Sequence, residues 1–198
     1  YLAGKMAAGY VRGIQSNGIA ACPKHFAVNS QELRRMASDS VVDERSLREL
    51  YLTGFEIVVK EAHPKTIMSS YNLINGTYAN ENAHLLQDIL RKDWGFDGAV
   101  VTDWGGSNDH ALGVQNGSTL EMPAPGGDAV RELMQAVQSG KITEADVDAR
   151  LEELSGGRQE LAQRRDALTA RISEIKLSVL ALEKEIEAAT AAIADLEK

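Results

Sequence analysis

The sequence predicts an α/β fold in which about four strand–helix units build a parallel sheet, followed by a long helix of coiled-coil type. Three observations carry this prediction. Short apolar runs bounded by polar loops alternate with stretches of helical periodicity, which is typical of parallel α/β sheets. One such run, Ala99-Val100-Val101, is continuously apolar, as expected for a strand buried on both faces. From Leu151 onward the composition shifts to Ala, Leu, Glu, Lys and Arg, with a helical repeat of apolar residues.

The first half of the chain contains three predicted helices and two predicted strands. A helix is expected over Leu2–Gln15, stopped by Asn17-Gly18, with a buried face that carries Leu2, Met6, Val11 and Ile14. Asp43 is a suitable N-cap for a helix that continues through Val58, and Asn82 for one that ends near Trp94. Strands are predicted at residues 19–22 and 66–71, and a long polar loop follows the first of them.

Four more elements follow up to Leu154. The strand 99–101 leads directly to Asp103, and a weaker strand is predicted at 118–122. Residues 129–139 have helical periodicity, and Thr143 opens another helix with Asp146 in the capping-box position. A closed eight-stranded barrel typically takes about 250 residues, so these units predict either a small open sheet or part of a barrel.

The last segment, residues 155–198, is predicted to be a separate helical unit beside a globular unit at 1–154. Its apolar residues follow one heptad repeat of about 3.5 residues per turn, which predicts a coiled-coil seam. The seam positions are Leu151, Leu154, Leu161, Leu168, Ile172, Ile175, Val179, Leu182, Ile186, Ile193 and Leu196, with Arg158, Arg165 and Ala189 in the remaining core positions. Such a helix would be about 60 Å long. It would pair with another chain, pack on the body, or stand as a charged helix that is marginal alone.

Composition and charge exclude several classes of function. The net charge of −8 offers no electrostatic footprint for a nucleic acid. A single cysteine, Cys22, excludes an intramolecular disulfide and a Cys-based zinc site. No apolar stretch is long enough to span a bilayer, so no membrane partner is expected. The chain starts at Tyr1 without a signal-peptide pattern, from which we expect a truncated N-terminus and leave the compartment open.

Polar side chains follow three of the predicted strands where each strand ends. They are Lys24 and His25, then Tyr71 and Asn72, then Asp103 and Trp104. The carboxyl ends of parallel strands are where α/β enzymes place their chemistry. An indole face with cations, a phenol and a carboxylate suits a neutral polyhydroxylated ligand. Each residue alone also has a structural explanation, such as a helix cap, a surface charge or a packing side chain.

These motifs resemble glycoside hydrolase family 3, the β-glucosidase and β-xylosidase type. The resemblance covers Tyr1 to about Leu151, with several motifs in the family's order. The matching stretches are Lys24-His25-Phe26 with Asn29 and Gln31-Glu32, Val42-Asp43-Glu44-Arg45-Ser46-Leu47-Arg48-Glu49, Met68-Ser69-Ser70-Tyr71-Asn72 with Asn75-Gly76, Thr102-Asp103-Trp104-Gly105 and Leu120-Glu121-Met122-Pro123. The resemblance implies the C-terminal part of a TIM-like barrel, a partial (β/α) barrel of about four parallel strand–helix units.

The resemblance also implies a mechanism and a set of site residues. Asp103 would be the nucleophile of a retaining hydrolysis of terminal β-D-glucosides or xylosides, without a cofactor or a metal. The subsite for the non-reducing sugar would be lined by Lys24, His25, Met68, Tyr71 and Trp104. Ala27-Val28-Asn29-Ser30 stands where the N-acetylglucosaminidase branch has a Gly-rich continuation, which favours unsubstituted sugars.

The acid that should accompany Asp103 is not identified in the sequence. Retaining enzymes use two carboxyl groups about 5–5.5 Å apart. Glu32, Glu81 and Glu121 lie near strand ends, but none matches the family's acid, and Glu32 is better explained as an acceptor for Arg34 or Arg35. In family members the first barrel strands would precede Tyr1 and the acid comes from a following domain. We therefore expect a chain that is incomplete for catalysis.

Two alternatives stay open at this point. The chain could be a sugar-binding remnant without turnover, or an engineered or recombined structural module whose coiled coil drives association. The expected partners are a small-molecule β-glucoside or oligosaccharide, and either a second copy bound through residues 157–198 or a chain that supplies the rest of the barrel.

Overall fold

The protein is described by a computed structural model that covers residues 1–124 and 126–196. Side chains at 157, 158, 160, 161, 164 and 187–196 fall outside the description. The predicted seam positions Arg158, Leu161, Ala189, Ile193 and Leu196 therefore lie outside the described side chains.

Six α-helices and five β-strands form the described fold, together with two helical segments of π type and one short 3₁₀ helix, Ala79–Glu81. The helices are α1 (Leu2–Gln15), α2 (Glu44–Ser46), α3 (Thr53–Ala62), α4 (His110–Asn116), α5 (Gly127–Gln138) and α6 (Glu144–Leu196). The strands are β1 (Asp39–Ser40), β2 (Thr66–Met68), β3 (Leu73–Ile74), β4 (Thr77–Tyr78) and β5 (Ala99–Val101). The π-type segments are Leu47–Leu52, which joins α2 to α3, and His84–Asp93.

The central sheet is parallel, as predicted, although its ladders are short. Strand β2 pairs with β5 in the register Thr66–Ala99 to Met68–Val101. The segment predicted as the first strand runs beside β2, where Met68 N–H donates to the Pro23 carbonyl at 3.0 Å. The weaker predicted strand at 118–122 lies on the other side and keeps one bridge, between Leu120 and Val101. The order of the four segments across the sheet thus follows the order of the sequence.

A small second sheet was not predicted from the sequence. The hairpin β3–β4 is antiparallel around Asn75 and Gly76, and β1 adds to it in parallel. Both turn residues have positive φ, at 51° and 86°, which Asn and Gly adopt more readily than other residues. Strands of two residues are too short to produce a recognisable alternation in the sequence, which is why the sequence predicts a loop here. The structure shows that this loop is a hairpin.

Two predicted N-caps are confirmed by direct hydrogen bonds. The Asp43 carboxylate accepts from Ser46 N–H at 3.0 Å. Asn82 Oδ1 accepts from Leu85 N–H at 3.0 Å. These contacts satisfy amide groups that the first turn of a helix leaves without a partner.

The predicted buried face of α1 is wrong except at Val11, although the bounds of the helix are confirmed. Leu2, Met6 and Ile14 are exposed, whereas the buried side carries Gly4, Ala8, Val11 and Gln15. A Cβ added at Gly4 would lie 3.1 Å from the Gly54 backbone. Small residues therefore let α1 approach α3 closely, and this approach outweighs the burial of the larger side chains.

The main core lies between the sheet and the helices that follow its strands. Phe26 packs edge-to-face on Phe55 and Trp94, with centroid distances of 5.1 and 5.9 Å. Ile67 and Val100, from β2 and β5, are fully buried in the same cluster. This core fixes the two strands whose carboxyl ends carry the candidate site.

The last helix is longer than predicted. The capping box at its start is confirmed by two hydrogen bonds. Thr143 N–H donates to Asp146 Oδ2 at 2.8 Å, and Asp146 N–H donates to Thr143 Oγ1 at 3.2 Å. Helix α6 then runs unbroken through Gly156. Glycine lowers helix stability by about 1 kcal/mol but removes no backbone hydrogen bond, so it does not force a break. Coiled-coil pairing and the division at 154/155 stay predictions.

Candidate active site

The candidate site lies at the carboxyl ends of β2 and β5. Because Met68 and Val101 are paired in the ladder, the residues that follow them emerge at the same edge of the sheet. Thr102, fully buried, holds the chain there: its Oγ1 accepts from Met122 N–H at 2.8 Å. Asp103 is the next residue, so its position is set by the strand rather than by a mobile loop.

Asp103 is largely buried, and both of its carboxylate oxygens have neighbours. His25 Nε2 lies 3.3 Å from Oδ2. The backbone N–H of Trp104 donates to Oδ1 at 2.8 Å. The Asp103 side chain is 12% exposed, which leaves a narrow approach from solvent. This arrangement orients the carboxylate while keeping part of it accessible to a ligand.

Tyr71 and Trp104 are linked beside this carboxylate. The Tyr71 hydroxyl donates to the Trp104 carbonyl at 2.7 Å. Burial raises the pKa of the Tyr71 phenol, and the negative charge of the nearby Asp103 raises it further. The Trp104 residue is 61% exposed, in contrast to Trp94 at 7%. An exposed indole beside a buried carboxylate provides a flat apolar surface for the C–H face of a sugar ring.

The loop after Asp103 is held by backbone turns and by a buried glutamate. Gly105 has φ of +77° and donates its N–H to the Met122 carbonyl at 2.7 Å. Glu81 is 4% exposed, and its Oε1 accepts from Asn108 N–H at 2.7 Å and Asp109 N–H at 2.9 Å. A rigid loop of this kind keeps Trp104 next to the carboxylate.

The two remaining predicted site residues occupy different positions. Met68 is half-buried at the end of β2, and its carbonyl accepts from Phe26 N–H at 2.8 Å, next to His25. Lys24 is exposed and lines a cavity of about 510 Å³ that also touches Gly4, Leu50 and Gly54. The structure thus brings His25, Tyr71, Asp103 and Trp104 together, and it places Lys24 at the cavity between α1 and α3.

Each of the three glutamates considered as an acid is held by other groups. Glu32 pairs with Arg35 at 2.8 Å, which confirms the predicted loop-organising contact. Glu81 supports the loop described above. Glu121 lies 2.8 Å from His110 Nδ1. Three glutamates with established structural contacts are poor candidates for a proton donor to a substrate.

Sequence reasoning missed the contact that Arg35 makes with Tyr71. The guanidinium carbon of Arg35 lies 4.6 Å from the centre of the Tyr71 ring, a cation–π distance. Arg35 is three residues after Glu32, which indicated their ion pair, but the path of the loop across the Tyr71 ring depends on tertiary structure. The role of Glu81 was missed for the same reason.

Two further features were sought among the described residues, a metal-binding cluster and a membrane-spanning helix. No group of three His, Cys, Asp or Glu side chains in the described part of the chain is arranged to hold a metal ion. Nor does any helix in the described ranges combine the length and apolar character needed to cross a bilayer.

Comparison with known proteins gives a consistent result. Residues 1–155 match the sequence profile of the glycosyl hydrolase family 3 N terminal domain. The thermostable beta-glucosidase B of Acetivibrio thermocellus is 48% identical over 144 residues, which are 73% of this chain and 19% of that protein. An exo-alpha-(1->6)-L-arabinopyranosidase of Bifidobacterium longum is 47% identical over 148 residues, 75% of this chain and 19% of that protein.

A solved structure shows the same fold. Beta-glucosidase 3B of Thermotoga neapolitana in complex with glucose superposes with a TM-score of 0.75 at 40% identity, covering 82% of this chain and 24% of that one. The chain spans about a fifth of the length of the curated relatives it matches. The profile match extends over more than three quarters of the sequence, and we conclude that this chain belongs to glycosyl hydrolase family 3.

Proposed function

We propose that this chain carries the nucleophile half of a retaining β-glucosidase active site, with Asp103 as the nucleophile. The observation that supports this most strongly is the environment of Asp103 at the end of β5. Its Oδ1 is oriented by Trp104 N–H, and its Oδ2 faces His25 Nε2 at 3.3 Å. A carboxylate that attacks an anomeric carbon must be held in one orientation, because misplacement by about 1 Å costs about 10²-fold in rate.

In this proposal the carboxylate acts in two steps. One oxygen of Asp103 attacks the anomeric carbon as the bond to the leaving group breaks, and a covalent glycosyl-enzyme forms. Water then attacks the same carbon and releases Asp103, so the anomeric configuration is retained. His25, Tyr71 and Trp104 surround the sugar in the first step, with Trp104 as the stacking surface. Met68 and Lys24 stay proposed subsite residues, although Lys24 lines the cavity between α1 and α3.

The substrate class is a terminal β-D-glucoside or β-D-xyloside. The glucose found in the Thermotoga neapolitana structure and the names of the curated relatives support a pyranoside without an N-acetyl group. The arabinopyranosidase among the relatives supports a subsite that accepts a pentopyranose as well. Xylose also lacks the hydroxymethyl group of glucose, so both activities are expected from one subsite.

In this proposal, another part of the enzyme must supply the acid that donates a proton to the leaving group. The glutamates 32, 81 and 121 are engaged in structural contacts, and the acid would come from a further part of a family 3 enzyme. General acid catalysis contributes typically 10²–10⁴-fold, so the chain alone should hydrolyse poorly. A sugar-binding protein without turnover is the second candidate function, supported by the same engagement of these carboxylates.

The experiment compares binding with hydrolysis. Glucose binding is measured by calorimetry, and hydrolysis of nitrophenyl β-glucoside and β-xyloside is measured with and without a polypeptide that supplies the rest of a family 3 barrel and its following domain. The proposal predicts glucose binding by the chain and β-glucoside hydrolysis in the complemented mixture, lost in Asp103→Asn. Binding without hydrolysis in either sample would favour the sugar-binding protein, and absence of both would reject the proposed site.

A further inference from the structure

The distal part of α6 presents an apolar stripe to solvent. We define it by the five residues Leu168, Ile172, Ile175, Val179 and Leu182, which occupy consecutive core positions of the heptad repeat. Ile172 and Ile175 are each 53% exposed, Val179 is 47% and Leu182 is 57% exposed. A helix whose apolar residues recur at this spacing is stable in water when another helix covers them.

Among the stripe residues only Leu168 is half-buried, and the other four are exposed. Helix α6 passes the body at Gly18, where an added Cβ would lie 3.6 Å from the Arg165 Cα. Beyond that point, every residue from 169 to 186 is exposed. The stripe is therefore available to a second chain.

The charges beside the stripe distinguish between the two orientations of a paired helix. The core positions of a heptad, labelled a to g, are a and d. In a parallel pair, the residue before each a position faces the residue after a d position of the partner helix. Arg171 therefore lies against Lys176 of the second copy. The same arrangement stacks Arg165 on its own counterpart in the core. Like charges at these positions destabilise the parallel dimer.

An antiparallel pair brings opposite charges together instead. If the two helices cross with residue 177 at the centre, Ile172 packs on Leu182 of the second copy and Ile175 packs on Val179. Arg171 then lies beside Glu185 of the second copy, and the two-fold axis repeats the contact. Lys176 lies against Lys176 of the second copy near the axis. The antiparallel pair therefore has one like-charge contact and two opposite-charge contacts. Within one chain, Arg171 contacts Glu174 at 3.0 Å, an exposed pair that is easily exchanged.

We propose that two copies of this chain associate through the stripe as an antiparallel coiled coil centred on residue 177. The ends at Arg165 of the two copies would then be about 36 Å apart along the axis, from the rise of about 1.5 Å per residue. In this arrangement the two family 3 units lie at opposite ends of the dimer. This association is independent of the proposed glycosidase activity.

Charge reversal on the full-length chain tests both the association and its orientation. Sedimentation velocity should show a dimer, and Val179→Glu should make it a monomer because it places a charge in the core. Arg171→Glu should raise the dissociation constant of the dimer about tenfold or more, and Glu185→Arg should have the same effect. An equimolar mixture of these two variants should restore it, because the mixed dimer regains both opposite-charge contacts.

Lys184→Glu is the matched control, because it changes the net charge by the same amount at a position that points away from the stripe. It should leave the dimer unchanged. Circular dichroism of each full-length variant confirms that the helix is retained. A wild-type chain that stays monomeric at about 100 μM, the order of the dissociation constant of a weak interface, would overturn the proposal. A tighter dimer in Arg171→Glu would overturn the antiparallel orientation, because that change creates an attraction to Lys176 in the parallel pair.

Discussion

His25 Nε2 lies 3.3 Å from Asp103 Oδ2, although 78 positions separate the two residues in the sequence (103 − 25). Both are at least partly buried, with side-chain exposures of 28% and 12%. The contact joins the end of the first sheet segment to the end of β5, so it exists only when the parallel sheet is formed. It therefore links the fold directly to the proposed chemistry.

The contact gives a first prediction, for His25→Gln. A contact between a polar group and a charged group contributes about 1.5 kcal/mol or more, which corresponds to about tenfold in rate. The rate at which an activated fluoro-sugar inactivates the chain should fall about tenfold in this variant. His84→Gln is the control, because His84 contacts Glu44 on the protein surface. An equal effect of both substitutions would contradict a specific role for His25.

Tyr71→Phe should change the dependence of stability on pH. The folded-state pKa of the phenol is raised by burial and then by Asp103, so the folded chain keeps a proton that the unfolded chain releases above about pH 10. This contribution to stability is complete below pH 10 and is lost as the pH rises through the folded-state pKa. Urea unfolding at pH 8 to 11 should show that wild type loses more stability than Tyr71→Phe. Parallel curves for the two proteins would contradict this prediction.

Glu81 should prove to be a structural carboxylate. Glu81→Ala leaves two backbone N–H groups without their acceptor, and we expect a loss of about 2–4 kcal/mol in the free energy of unfolding. Glu81→Gln keeps an acceptor oxygen and should lose about 1 kcal/mol. Denaturant titration of the two variants checks this order. Equal stability of Glu81→Ala and wild type would show that the loop is held by other contacts.

Substitution by alanine at two glycines should change the stability of the protein in opposite directions. A Cβ at Gly98 would clash with the Lys65 carbonyl oxygen, so Gly98→Ala must displace β5 or the backbone beside it. We expect a loss of about 1–3 kcal/mol. Gly9 is exposed within α1 and a Cβ there meets nothing within 4 Å, so Gly9→Ala should gain about 0.5–1 kcal/mol. The urea midpoints of the two variants measure both effects, and a shift in the same direction would be inconsistent with this packing.

Local chemistry explains which parts of the fold could be predicted. Asp43 and Asn82 could be identified as N-caps because a cap depends on residues within one helical turn. Strand β5 could be identified because a buried parallel strand is apolar at every position. The buried face of α1 could not, since it is decided by how closely Gly4 approaches Gly54, which are 50 positions apart (54 − 4).

The same distinction applies to the site. That His25, Tyr71 and Asp103 meet follows from the rule that parallel strands end at one edge, together with the family motifs. The position of Arg35 over the Tyr71 ring does not follow from any local pattern, because the loop between Ser30 and Ser38 determines it.

Covalent trapping tests the central proposal most directly. An activated 2-fluoro-glucoside with a dinitrophenolate leaving group needs no acid, so the chain can be tested alone or with the complementing polypeptide. After incubation, peptide mass spectrometry should find one fluoroglucosyl group on Asp103, and none in Asp103→Asn. A label on another residue, or inactivation of Asp103→Asn at the wild-type rate, would show that Asp103 is not the nucleophile.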